Sequence, residues 1–260
     1  ITDIKQEVFG PVLHLATFRA QDLDQVITDI NTTGYGLTFG LHTRIDDRVQ
    51  HVSDRIDAGN IYVNRNQIGA IVGSQPFGGL GLSGTGPKAG GPDYLTRMRA
   101  STPAPATVAA GWNKSAKLPD GPTSLQRMQG RVALPGPTGE SNMLSLHPKS
   151  ALLCAGPGTA AATAQAKAVR ALGGHAIEAK GHFDPTSLTN GPAYGGVIWW
   201  GDHKTARRLE QALADRSGPI IALITGQPDR AHVLRERHIC VDTTASGGNA
   251  ALLKATSSSD

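Results

Sequence analysis

"SALLCAGPGTAAATAQAKAVRALGGHAIEA", residues 150–179, sets the fold class. A short apolar run, "SALLCAG", meets a turn at Gly156-Pro157-Gly158. An Ala-rich stretch of helix length follows over 159–173, and then a second apolar run, "HAIEA". Strand, helix and strand in that order predict a parallel crossover, because parallel neighbours need a connection long enough to return over the sheet. Downstream, "GGVIWW" (195–200), "KTARRLEQALAD" (204–215), "GPIIALITG" (218–226) and "HICVDTTA" (238–245) extend the series as strand, helix, strand and last strand. The series opens after "LPGPTGESN" (134–142) and ends in the polar tail "KATSSSD". Residues 131–255 thus read as a Rossmann-like α/β unit, and 256–260 as a disordered tail.

Upstream, residues 100–130 are rich in Ala, Pro, Ser, Thr and Gly with few large apolar side chains, the composition of a linker. Before them a first alternating unit occupies 1–99. "PVLHLATF" (11–18) alternates like a strand, and "DLDQVITDIN" (22–31) places Leu23, Val26, Ile27 and Ile30 on one helical stripe. "LTFGLHT" (37–43) predicts a strand, "RIDDRVQHVSDRID" (44–57) a helix with Ile45, Val49, Val52 and Ile56 facing one way, and "GNIYVNR" (59–65) another strand. Both units predict α/β architecture with parallel sheets. Periodicity then stops over 65–92, where "GAIVGSQPFGGLGLSGTGPKAGGP" (69–92) is dominated by glycine.

Composition excludes several classes of function. With 39% hydrophobic and 18% charged residues the chain reads as soluble and globular, and no apolar run approaches the roughly 20 residues of a membrane span. The net charge of +4 is spread over pairs such as Arg97/Arg99, Arg207/Arg208 and Arg235/Arg237, so no basic element points to nucleic acid. Nine histidines and two cysteines offer no metal-ligand spacing, and Cys154 and Cys240 sit in apolar runs as small core residues. The opening "ITDIKQEVFGPV", without an initiator Met, reads as a fragment of a longer protein.

Three glycine motifs compete for a phosphate. Gly79 to Gly84 matches G-x-G-x-x-G but lacks a strand before it and a helix after it, and Gly86-Pro87 lacks the Lys-Ser/Thr of a P-loop. Gly156 to Ala161 does follow a strand and open a helix, with Glu178 placed to meet a ribose. It reads either as a regulatory nucleotide site or as a tight strand-to-helix turn.

"EVFGPV" (7–12), "GNIYVNR" (59–65) and "QPFGGLGLSGTG" (75–86), in this order, resemble the later half of the catalytic region of the aldehyde dehydrogenase superfamily. "GAIVGSQPFGGLGLSGTGPKAGGPDYL" (69–95) is similar to the L-glutamate γ-semialdehyde dehydrogenase module of bifunctional proline utilization A proteins. "LPGPTGESN" and "VDTTASGGNAALL" resemble the borders of the carboxy-terminal domain that longer members carry. The resemblance implies that 1–99 is the C-terminal part of an aldehyde dehydrogenase catalytic domain. Residues 131–255 are then a non-catalytic, aldehyde-dehydrogenase-like domain that caps the enzyme or helps assemble it. It implies NAD as cofactor, with Glu7 accepting hydrogen bonds from the nicotinamide ribose and Phe9 packing beside it. A flavin (FAD) would serve only a proline dehydrogenase module outside this chain.

For the substrate, the resemblance assigns the amides of Gly69 and Ala70 to the α-carboxylate and Phe77 to the aliphatic body. Small residues suit that role because they let main chain approach an anion closely. Ser74 departs mildly from the pattern, standing where an apolar residue is expected. Asp242 and Asn249 are expected turn formers in the terminal motif. The family's nucleophilic Cys lies before E-x-F-G-P, so none of these residues is expected to be catalytic and the polypeptide alone is expected to be inactive. Its partners would be a small-molecule substrate and the remainder of the same cytoplasmic enzyme, with any peripheral membrane association left to that remainder.

Overall fold

The computed structural model describes residues 8–68, 70–105, 115–120 and 130–244. A single 3-10 turn (Ala20–Asp22) leads into α1 (Leu23–Thr32), followed by β1 (Tyr35–Gly36), β2 (Thr38–Leu41), α2 (Asp46–Arg55) and β3 (Asn60–Val63). The glycine-rich segment contributes only β4 (Leu80–Gly81), which pairs antiparallel with β1. Next come β5 (Gly130–Leu134), β6 (Glu140–Pro148), β7 (Leu152–Cys154), α3 (Gly158–Ala171) and β8 (Ala176–Glu178). The chain continues through β9 (Val197–Ile198), α4 (His203–Ala214), β10 (Leu223–Ile224), α5 (Arg230–Val233) and β11 (Leu234–Asp242).

The crossover read from residues 150–179 is present: β7 pairs parallel with β8 through α3. β9 lies on the other side of β7, and β10 beyond it, giving the all-parallel order β10-β9-β7-β8. The chain therefore winds one way from β7 and then the other, which puts a switch point between β7 and β9. One apolar cluster joins Leu153, Val197 and Trp199 to Leu209 and Leu213 of α4, and a second joins Leu152, Cys154 and Ile198 to Ala162, Ala166 and Val169 of α3. Small alanines along α3 bring that helix close to the strands it covers.

The second sheet does not divide at residue 130. Its order is β2-β3-β11-β6-β5, so strands from both ends of the chain share one ladder. β2 and β11 pair parallel with β3, while β6 pairs antiparallel with β11 and with β5. The last strand was expected to close the second unit's own series, but it starts four residues earlier and joins β3. The physical reason lies in "RERHICVD": β11 buries His238, whose two ring nitrogens meet Asn60 and Asn142 there, polar neighbours that the apolar helix-covered sheet does not offer. On the outer side of β3, α2 buries Val49 and Val52 and its C-cap Ile56, while Ile45, at the N-cap, is 51% exposed.

Two further expectations changed. The strand over 11–18 does not form, and residues 8–22 are exposed throughout; alternation alone cannot hold a strand that meets no ladder partner among the described residues. Where residues 100–130 are described, they lie on the second unit. The Thr102 carbonyl accepts from the Gln227 amide at 2.9 Å, the Ala116 amide donates to His182 at 2.8 Å, and the Tyr194 hydroxyl donates to the Pro119 carbonyl at 2.6 Å. No helix among the described residues is long and apolar enough to cross a membrane.

Candidate functional site

The aperiodic segment after β3 is held from below by side chains. Asn60, the first residue of β3, is fully buried, and its amide donates to the Pro76 carbonyl at 2.9 Å. Its Oδ1 accepts from the Gly78 amide at 3.1 Å and from Lys88 Nζ at 2.7 Å. One side chain thus grips the residues on both sides of Phe77. Lys88, 2% exposed, also donates Nζ to the Gly78 carbonyl, and Phe77 and Ala89 exchange backbone hydrogen bonds at 3.0 and 2.8 Å. Gly59 has to be glycine, since a Cβ there would collide with the Gly78 carbonyl oxygen. The result is a half-buried Phe77 fixed in position by a loop with no regular structure of its own.

The polar core continues behind that grip. His238 Nε2 lies 3.1 Å from Asn142 Oδ1, and its Nδ1 faces Asn60 Nδ2 at 3.5 Å. Asn60 Nδ2 can only donate, so this network assigns the neutral ring with its proton on Nε2. Burial, with the Lys88 charge adding to it, holds the His238 pKa down to about 4. Asn142 in turn donates to Glu140 Oε1 at 2.8 Å, where Gln75 Nε2 also arrives at 2.8 Å, and Arg65 pairs with Glu140 Oε2 at 2.6 Å. Burial pushes the Glu140 carboxyl up, but the hydrogen bonds from Asn142 and Gln75 and the Arg65 charge leave it below its ordinary value. Lys88 is driven the other way: burial lowers it to about 7, with Glu236 only partly opposing.

Above this base, the Ser74 and Gln75 amides turn back onto the Ile71 carbonyl at 3.2 and 2.8 Å, and Gly73 takes a left-handed φ of +84°. Ala70 and Val72 stand exposed on the crest. Gly69 and Glu7 lie outside the described residues. Phe9 is described, but it is 89% exposed on the extended run 8–19, so the described residues build no nicotinamide pocket around it. The structure thus fixes Phe77, places Ala70 at the surface, and does not gather Phe9 with them. Sequence reasoning missed Asn60, Lys88 and His238. Their signals were an Asn opening an otherwise apolar strand, a lone cation in "GPKAGG", and charges on buried positions of an alternating strand.

The other candidate, Gly156 to Ala161, is closed from within. Gln165, fully buried on α3, accepts from the Gly156 amide at 3.0 Å and donates to its carbonyl at 2.7 Å. Glu178 accepts from Thr163 at 2.7 Å and pairs with Arg170 at 3.4 Å. The tight-turn reading accounts for these contacts. A cleft of about 630 Å³ does open at the C-terminal ends of β7 and β9, lined by Trp199, Trp200 and Phe183. Cys154 and Cys240 are buried free thiols; burial pushes Cys154 up to about 12, and Cys240 to about 11 against the opposing bond from Arg65.

Residues 2–102 match the aldehyde dehydrogenase family. Along nearly its whole length the chain is similar to PutA proteins. It is 37% identical to the bifunctional protein PutA of Rhizobium meliloti, with 97% of this chain and 24% of that protein aligned. Over 100 residues it is 47% identical to the 1-pyrroline-5-carboxylate dehydrogenase of Bacillus cereus (strain B4264), covering 38% of this chain and 19% of that one. The solved structure of proline utilization A from Corynebacterium freiburgense aligns with 85% of this chain and 24% of its own, at 23% identity and a TM-score of 0.51, and so shares the fold. The chain spans about a quarter of the length of the PutA relatives it matches.

Proposed function

We propose that these 260 residues supply the substrate-holding loop and the cover of an NAD-dependent L-glutamate γ-semialdehyde dehydrogenase, working inside a bifunctional proline-oxidising enzyme. The observation that carries this reading is the Asn60–Lys88 grip on Phe77, which lies within residues 2–102, the stretch that matches the aldehyde dehydrogenase family. In this reading Phe77 packs on the aliphatic chain of the semialdehyde, and the Gly69 and Ala70 amides receive its α-carboxylate. Glu7 and Phe9 would hold the ribose and ring of NAD, the group that accepts the hydride when bound. FAD would belong to a proline dehydrogenase module elsewhere in the enzyme.

In this reading the reactive thiolate comes from residues outside these 260. Oxidation by this route needs a reactive thiolate, and both thiols here are buried with pKa values far above neutrality. The isolated polypeptide should therefore form no NADH from the semialdehyde, and measurable turnover would refute the division of labour. Within the longer enzyme, Phe77→Ala should raise KM for the semialdehyde about tenfold to a hundredfold, the equivalent of one aromatic contact, with a smaller change in kcat. An unchanged KM would remove Phe77 from the substrate site.

A further inference from the structure

The loop also walls a second space that the proposed reaction does not use. A cavity of about 280 Å³ lies between Gly79–Lys88 and the segments 149–150, 193–195, 216–221 and 231–236 of the second unit. Leu80, Pro87, Tyr194 and Ile221 give it an apolar body, and the volume suits a ligand no larger than a small amino acid. Glu236 of β11 lines it and is 6% exposed. The Lys88 amide donates to its Oε2 at 2.6 Å and the Asp93 amide also faces the carboxylate, while its Oε1 is left without a hydrogen-bond partner.

A buried carboxylate oxygen without a donor is costly, and it marks a place where a partner belongs. The neighbouring cations are committed elsewhere. Lys88 Nζ serves Asn60 and the Gly78 carbonyl, and Lys149 Nζ donates to the Ala231 carbonyl at 2.8 Å. Arg216 reaches the carbonyls of Leu188 and Gly191, Arg230 pairs with Asp93 at 3.2 Å, and Arg235, which also lines the cavity, pairs with Asp57 at 3.3 Å. The open acceptor therefore calls for a donor from outside the chain, and a cationic donor gives the stronger bond. We propose that this cavity binds a small organic amine, its protonated nitrogen donating to Glu236 Oε1 and its apolar body packing between the glycine-rich wall and Ile221.

Calorimetry on the 260-residue chain, with cyclopentylamine as probe and cyclopentanol and cyclopentanecarboxylate as comparators, tests this directly. The amine should bind saturably, with the alcohol at least about tenfold weaker and the carboxylate undetectable, because only the amine sets a full positive charge against the carboxylate while a second carboxylate repels it. Glu236→Gln keeps an acceptor for the Lys88 amide but puts a donor in place of Oε1, so it should lose about tenfold or more in amine affinity. Ile221→Trp, which fills the space without touching the carboxylate, should abolish binding. Cooperative thermal unfolding of both variants would show that the fold is intact. No saturable heat from cyclopentylamine, equal binding of the alcohol, or unchanged affinity in either folded variant overturns the proposal.

Discussion

In the four-stranded sheet β7 and β9 bury Leu152, Leu153, Cys154, Val197 and Ile198, whereas the five-stranded sheet buries Asn60, Asn142, Glu236, Arg237 and His238 among its apolar residues. The first is a dry interior between α3 and α4, held by contacts that have no direction. The second carries a hydrogen-bonded chain from Arg65 through Glu140, Asn142, His238 and Asn60 to Lys88. Directional bonds can hold an irregular loop at one set of positions, which apolar packing alone does poorly. That is why Phe77 is fixed over the polar sheet, while the glycine turn over the dry sheet is sealed by Gln165. The two glycine-rich segments look alike in composition, and what lies beneath them decides which one is presented.

The widest break in this comparison should come from Asn60→Ala. It removes the bonds to Pro76, Gly78 and Lys88 together and leaves a buried ammonium with one acceptor, so a loss of roughly 3–5 kcal/mol is expected in urea unfolding. Leu153→Ala in the dry sheet should cost a similar amount through its cavity. The two differ in hydrogen exchange: Asn60→Ala should expose the Phe77 and Gly78 amides, and Leu153→Ala should leave them protected. Equal protection in both variants would mean that the loop holds itself.

Acid should find the polar sheet first. His238 is neutral in the folded state with its pKa held down to about 4, against an unfolded value of about 6.5. The unfolded chain therefore binds more protons between those values, and stability contributed by this ring is lost as pH falls from about 6.5 to about 4, by roughly 3 kcal/mol in all. His147, lowered to about 4 chiefly by burial and the Arg237 charge, slopes the same way. His238→Gln isolates the first contribution: its denaturation midpoint should vary less with pH than that of the parent chain, and parallel curves would contradict the lowered pKa of the buried ring.

How much of this was legible in the sequence follows from the same contrast. The dry unit could be read from residues 150–179, because apolar periodicity reports burial on one face and the strand and helix periods differ. The α2 stripe was legible for the same reason, with Val49, Val52 and Ile56 in the core. In the polar sheet β2 and β3 were read as strands, but its polar interior was not, since Asn60, Lys88 and His238 look like surface residues until their partners are known, and those partners lie up to 178 residues away. Phe77 was reached through a motif, and Asn60, which holds it, was not. The exposed run 11–18 shows the converse, an alternating pattern whose partner is not among the described residues.

Gln165→Ala probes the sealed turn. The Gly156 amide would lose its acceptor in the interior, while the Gly156 carbonyl keeps the Trp200 amide at 2.9 Å, so a cost of about 2 kcal/mol is expected. If the turn instead tolerates the change without loss, the contact with Gln165 does not close it.

The smallest and sharpest test exchanges one atom in each sheet. Cys240 Sγ is approached by Arg65 Nη1 at 3.3 Å and Gln75 Nε2 at 3.6 Å, whereas Cys154 Sγ meets only the Leu152 carbonyl at 3.9 Å among the bonds described. Replacing sulfur by a hydroxyl asks each site for stronger hydrogen bonding than a thiol needs. At 240 the donors are in place, and Cys240→Ser should cost less than about 1 kcal/mol. At 154 the hydroxyl would sit among Ile198, Ala162 and Ala166 with a distant acceptor, and Cys154→Ser should cost about 2 kcal/mol. Urea midpoints of the two variants measure the difference at one unchanged slope. Equal losses would mean that the polar network does not absorb a new polar group. The order expected here would show that the sheet holding Phe77 is tolerant of polarity where the sheet beside it is not.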